Sequence, residues 1–125
     1  MTVLLLVEDN PGFRHTLKQM LESRFPSAEI IEAAGGLEAL ESIEERLPDL
    51  IFMDIQLPDE NGLVLTKRIK ARYPRIPIII LTNHDLPEYR QAAAEYGADT
   101  FLSKEEATSG DIIRAVTSLL SGEVE

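Results

Sequence analysis

The sequence predicts an α/β protein: a doubly wound, five-stranded parallel sheet of strand order 2-1-3-4-5, with five helices. Three observations carry the prediction. Short apolar runs such as Val3-Leu4-Leu5-Leu6-Val7, Leu50-Ile51-Phe52-Met53 and Ile78-Ile79-Ile80-Leu81 lack polar alternation, as strands buried on both faces do. The stretches between them carry apolar residues at helical spacing. The strict alternation of the two implies right-handed crossovers and helices on both faces of one sheet. In such a sheet, ligands bind beyond the carboxyl ends of the strands, at the switch point beside strand one.

The elements follow in order. Residues 2–7 form the first strand. Pro11 and Gly12 open a helix with Phe13, Leu17, Met20 and Leu21 on one face, and Phe25-Pro26 stops it, because proline disfavours helix at the residue before it. Residues 28–33 form a second strand, more polar and therefore placed at an edge. After the Gly35-Gly36 turn, Leu37, Leu40, Ile43 and Leu47 mark the inward face of a second helix, closed by Pro48. Residues 49–54 are strand three. The turn formers of Gln56–Gly62 make a loop. Leu65, Ile69 and Tyr73 mark helix three, which ends before Pro74. Strand four spans 78–82. Pro87 opens helix four, with Tyr89, Ala92, Ala93 and Tyr96 inward, and Gly97 terminates it. Strand five covers about 99–102. Thr108–Asp111 resembles a capping box, and the last helix turns Ile113, Val116, Leu119 and Leu120 inward.

Length and composition bound the function. The 125 residues, read as one domain over 1–125, suffice for a real core. Cysteine is absent, which rules out disulfide and thiolate chemistry and fits a reducing compartment. No apolar run approaches the roughly 20 residues of a membrane span, and the start lacks the features of a secretory signal, so a cytoplasmic location is expected. The net charge of -10 disfavours direct nucleic-acid binding by this chain, because phosphate must be neutralised by Lys and Arg. Part of the acidity, including Glu41, Glu44 and Glu45, reads as a solvated helix face.

The residues that end the strands carry the chemistry. Glu8 and Asp9 close strand one, Asp54 closes strand three, Thr82 closes strand four and Lys104 follows strand five. Taken singly, Asp54 reads equally well as the start of a turn, and Glu8-Asp9 as a helix cap. Taken together, three carboxylates at adjacent strand ends repel one another and suit a bound cation. Magnesium takes oxygen ligands from one or two carboxylates and retains waters. A phosphoryl group on Asp54 would meet that metal, the Thr82 hydroxyl and the Lys104 ammonium, and catalysis of phosphoryl transfer is mostly such positioning and charge stabilisation.

The segments Leu6-Val7-Glu8-Asp9-Asn10, Phe52-Met53-Asp54-Ile55-Gln56-Leu57-Pro58, Leu81-Thr82 and Phe101-Leu102-Ser103-Lys104 resemble the receiver domain of bacterial two-component response regulators, a flavodoxin-like fold. The resemblance covers essentially the whole chain. It implies Asp54 as phosphoacceptor, and a Mg2+ site of Glu8, Asp9, Asp54 and the backbone carbonyl of Gln56. It implies that Thr82 and Lys104 bind the phosphoryl group, that Thr82 and Phe101 form the switch, and that Gln56 and His84 tune the lifetime of the phosphorylated form. The implied partners are a sensor histidine kinase or phosphotransfer protein upstream and an output domain or protein downstream. A phosphorylation-dependent homodimer is a further expectation, with Tyr89, Arg90 and Lys104 on an exposed contact face.

Two departures from the family pattern bear on the site. Lys104 is followed by Glu105 rather than proline, and a cis bond there would cost roughly 2.5–4 kcal/mol, so a trans peptide or a reshaped loop is expected. A lysine without that proline resembles regulators with a helix-turn-helix output domain, as does the ending Ile113–Glu123. Asn83 is bulkier than the small residue often found after the threonine and would narrow access to Asp54. Two rival readings remain. A haloacid dehalogenase-like phosphatase also uses an aspartyl phosphate, but Gln56 stands where its general acid would be. A phosphorylation-independent binding module would not need Glu8, Asp9, Asp54, Thr82 and Lys104 together.

Overall fold

The computed structural model describes residues 1–124, with side chains described through Ser121. Five strands alternate with five helices: β1 (Val3–Val7), α1 (Pro11–Arg24), β2 (Glu29–Ala33), α2 (Gly36–Glu45), β3 (Leu50–Met53), α3 (Gly62–Arg72), β4 (Ile78–Thr82), α4 (Pro87–Glu95), β5 (Thr100–Ser103) and α5 (Ser109–Val124). The sheet is wholly parallel, in the order β2-β1-β3-β4-β5, as the sequence predicts, and the more polar β2 lies at an edge.

Each inner strand feeds two cores through its period of two. Leu5, Val7, Ile51, Met53, Ile78 and Ile80 pack on one face, against Ala39 and Ile43 of α2, Leu65 and Ile69 of α3 and Ala93 of α4. Leu4, Leu6, Leu50, Phe52, Ile79 and Leu81 pack on the other, against Leu17 and Leu21 of α1 and Ile112 and Val116 of α5. This double burial explains the uninterrupted apolar runs.

Helix termini use local side chains. Asn10 Oδ1 accepts from the Phe13 N–H at 3.0 Å, and Asn61 Oδ1 accepts from the Leu63 N–H at 2.7 Å. Thr108 and Asp111 bond each other reciprocally, so the capping box is present. Gly97 ends the α4 segment at φ 97°, a left-handed value that glycine takes without penalty.

Two inward faces differ from the prediction. Leu37 and Leu47 are 65% and 59% exposed. The buried stripe of α2 is Gly36, Ala39 and Ile43, with Leu40 partly buried; the helix stops at Glu45, so Leu47 lies beyond it. In α5 the buried residue is Ile112 rather than Ile113: Ile112 and Val116, four apart, share a face, and adjacent isoleucines left the phase ambiguous by one residue.

Candidate functional site

The carboxyl ends of β1, β3, β4 and β5 lie side by side, so the residues following them meet. Glu8, Asp9 and Asp54 offer carboxylate oxygens that all lie within 4.8 Å of one another. Asp54 and Glu8 are buried and Asp9 is exposed. Lys104 reaches between the two buried carboxylates, with Nζ 2.7 Å from Glu8 Oε1 and 3.1 Å from Asp54 Oδ2. The cleft above has a volume of about 190 Å³ and is lined by Glu8, Asp9, Asp54, Gln56, His84 and Lys104, with Asn10 and Asn83 at its sides.

Backbone donors and a half-buried arginine fix this arrangement. Asp54 Oδ1 accepts from the Ile55 N–H at 2.7 Å, which leaves Oδ2 turned to Lys104. Glu8 Oε2 accepts from the Asn10 N–H at 3.0 Å. Arg14 on α1 donates to the Glu8 backbone carbonyl at 2.7 Å and to Glu32 of β2 at 3.0 Å, tying the acidic turn to helix and sheet. Burial pushes the Glu8 carboxyl above its ordinary value, against the pull of its bonds from Lys104 and Asn10, and the neighbouring Asp54 adds to the rise. Burial works against the Lys104 ammonium as well, but the bond to Glu8 and the charges of Asp54 and Glu8 outweigh it and hold its pKa above that of an ordinary lysine.

The site residues expected from the sequence are placed unequally. Glu8, Asp9, Asp54, Gln56, His84 and Lys104 converge on the cleft. Thr82 does not line it: it is fully buried at the end of β4, and its hydroxyl accepts from the His84 N–H at 3.2 Å. Phe101 on β5 is half-buried, packed against the α2–α4 core and paired in register with Ile80. Asn83, itself exposed, is among the residues that line the cleft. The Lys104–Glu105 peptide is trans, with no cis peptide among the described residues, and Lys104 still reaches both carboxylates. Lys104 is not on an exposed face with Tyr89 and Arg90, because its side chain is only 8% exposed. Its charge is turned inward by two carboxylates, which the sequence position alone does not specify.

Sequence reasoning missed the roles of Asn10 and Arg14. Asn10 before Pro11 is a legible helix cap. Arg14 gives no such signal, since its partner Glu32 is 18 residues away on another strand.

Three clustered carboxylates facing one ammonium, at the switch point of a doubly wound sheet, define a phosphoacceptor of the receiver class. Residues 4–117 match the family of response regulator receiver domains, and the chain belongs to that family. Such domains act as phosphoacceptors rather than as turnover enzymes. The transcriptional activator protein ExaE of Pseudomonas putida is 34% identical over 119 residues, covering 95% of this chain and 55% of that protein. The chemotaxis protein CheY of Halobacterium salinarum is 37% identical over 101 residues, covering 81% of this chain and 82% of that protein. A CheY-like receiver domain protein from Methanospirillum hungatei JF-1 superposes with a TM-score of 0.90 at 27% identity, covering 98% of this chain and 95% of that one. The chain spans about half the length of ExaE and of DegU from Brevibacillus brevis, 55% and 50%. Among the described residues, no helix is long and apolar enough to cross a membrane.

Proposed function

We propose that this chain, as one receiver domain over residues 1–125, is a cytoplasmic phosphoacceptor switch whose acceptor is Asp54. The donor is the phosphohistidine of a sensor histidine kinase or phosphotransfer protein. The observation that carries the reading is the position of Asp54, whose carboxylate lies among Glu8 and Asp9 and 3.1 Å from the Lys104 ammonium.

The donor set fits a hard divalent cation. One ammonium against three carboxylates leaves the cluster net negative, and every candidate ligand atom is oxygen. Glu8, Asp9, Asp54 and the Gln56 carbonyl would hold Mg2+. Bound there, Mg2+ supplies the positive charge that offsets the carboxylates and the phosphoryl oxygens. An Asp54 oxygen forms the new O–P bond as the donor N–P bond breaks, and the histidine ring keeps the electron pair. Lys104 pairs with a phosphoryl oxygen as a point charge. The Thr82 hydroxyl, which accepts from His84, still has its own proton to donate to a second oxygen.

Phosphorylation replaces one carboxylate by a group of about -1.5 to -2 charge with more acceptor oxygens. Thr82 shifts toward it, and Phe101 follows into the space vacated. The surface of α4, β5 and α5 changes shape and engages an output domain or partner, or a second copy as a homodimer. Gln56 and His84 flank the phosphoryl group and set its lifetime. The output is transcriptional, through a helix-turn-helix domain. Supporting this are the absence of proline after Lys104, the name of ExaE as a transcriptional activator, and a 29%-identical LuxR-family regulator from Aurantimonas sp. SI85-9A1. The net charge of -10 leaves nucleic-acid contact to that domain rather than to this chain.

The test is intact-protein mass after incubation with magnesium and phosphoramidate, beside an Asp54→Asn variant. The expected result is one labile phosphoryl adduct that needs magnesium and is absent from the variant. An adduct on the variant would move the acceptor elsewhere. Sustained turnover of a phosphomonoester would replace the switch by a phosphatase.

A further inference from the structure

We infer that Phe13, on the first turn of α1, is a positioning residue for Lys104: its ring face backs the ammonium and keeps it aimed at the acceptor. The inference rests on the phosphoacceptor reading of Asp54. The Lys104 Nζ lies 4.4 Å from the Phe13 ring centroid, within the range in which a cation is drawn to the quadrupole of an aromatic face. The ammonium thus has three neighbours: Glu8 at 2.7 Å, Asp54 at 3.1 Å and the ring. With all three in place, the Lys104 side chain is 8% exposed.

The choice of an aromatic for the third side has a chemical consequence. An ammonium carries three donors and no acceptor. A third carboxylate there would hold the ammonium away from an arriving phosphoryl oxygen. Water would screen the charge and let the flexible four-carbon stem wander. A ring face attracts the cation without competing as a strong hydrogen-bond acceptor, and it excludes water. It therefore fixes the charge while leaving it available to the new anion. Phe13 is itself fixed from two directions. Its N–H donates to Asn10 Oδ1 at 3.0 Å, and it packs against the core formed with Leu17 and Leu21.

The experiment compares wild type, Phe13→Leu and Phe13→Tyr, each also in a Lys104→Ala background. Leucine keeps apolar packing and loses the ring; tyrosine keeps both. One readout is the phosphorylation rate with magnesium and phosphoramidate, followed by intact mass. The other is the NMR shift of the Lys104 Hε protons, which a ring face moves upfield. Phe13→Leu is expected to slow phosphorylation by about 2- to 30-fold, the factor corresponding to a cation–π contact, and to abolish the upfield shift. Phe13→Tyr restores both. In the Lys104→Ala background, Phe13→Leu changes nothing further. Equal slowing with and without Lys104, or failure of tyrosine to rescue, would make Phe13 a core residue only and overturn the inference. A wild-type chain that is phosphorylated while Phe13→Leu keeps its full rate overturns this inference alone. A wild-type chain that takes no phosphoryl group overturns the phosphoacceptor reading along with it.

Discussion

Gly62 is pressed against the backbone of Asp54. A Cβ on Gly62 would stand 1.9 Å from the Asp54 carbonyl oxygen and 2.9 Å from the Ile55 Cα, and its N–H donates to the Ile55 carbonyl at 2.7 Å. Because the clash is with backbone, no rotamer change relieves it. The start of α3 therefore packs directly on the Asp54 peptide, and only glycine allows it. Gly62→Ala must push α3 away or displace Asp54. It is expected to lose about 1–3 kcal/mol of stability, the usual cost of overpacking, and to phosphorylate more slowly than wild type because the Asp54 backbone is shifted. Urea unfolding beside the phosphoramidate assay checks both. Wild-type stability in the variant would mean that α3 moves without resistance.

A second relationship links the loop after β4 to β5. The Arg90 guanidinium lies 4.7 Å from the centroid of the Phe101 ring. Asp85 holds it in place, with Oδ1 2.5 Å from Nε and Oδ2 3.1 Å from Nη2. One guanidinium plane, tied by Asp85 to the loop that follows Thr82, thus covers the aromatic proposed to move. A double-mutant cycle with Arg90→Ala and Phe101→Leu is expected to show a coupling of about 0.5–1 kcal/mol in equilibrium unfolding, the size of an exposed cation–π contact. Strictly additive losses would show that the stacking carries no energy.

The sheet was legible because its strands are buried on both faces. A run such as Ile78-Ile79-Ile80-Leu81 admits few other readings, and once strand order follows from topology rules, the residues at strand ends must meet. Asp54, Glu8, Asp9 and Lys104 were legible for that reason. What could not be read was phase and reach. Ile113 adjoins Ile112, so the pattern did not choose which one faces the core. Leu37 sits one position past Gly36, which with Ala39 and Ile43 forms a buried stripe whose small members a search for large apolar side chains passes over. The burial of Thr82 and the turning of Lys104 inward depend on contacts between segments far apart in sequence, such as Lys104 with Asp54, 50 residues apart. The stacks of Phe13 on Lys104 and Arg90 on Phe101 are invisible to periodicity, because both rings also satisfy a plain core reading.

Asp59 gives the fold a pH dependence on its acid side. The N-cap of α2 is Gly35, which has no side chain to offer, and Asp59 from the β3–α3 loop supplies the acceptors instead. Its Oδ2 accepts from the Leu37 N–H at 2.9 Å and its Oδ1 from the Gly36 N–H at 2.8 Å. These two bonds hold the Asp59 carboxyl below its usual 3.8, and the positive end of the helix favours the same charge. A carboxyl whose folded pKa is depressed adds stability above its unfolded pKa and loses it as pH falls through the folded value. Asp59→Ala is therefore expected to melt below wild type at pH 7, with the gap closing as pH drops below about 3.8, the ordinary aspartate value. Asp59→Asn keeps one acceptor but no charge and should fall between the two at neutral pH. Melting curves across that range decide the point: a gap independent of pH would mean that Asp59 acts through its shape and hydrogen bonding, not through its charge.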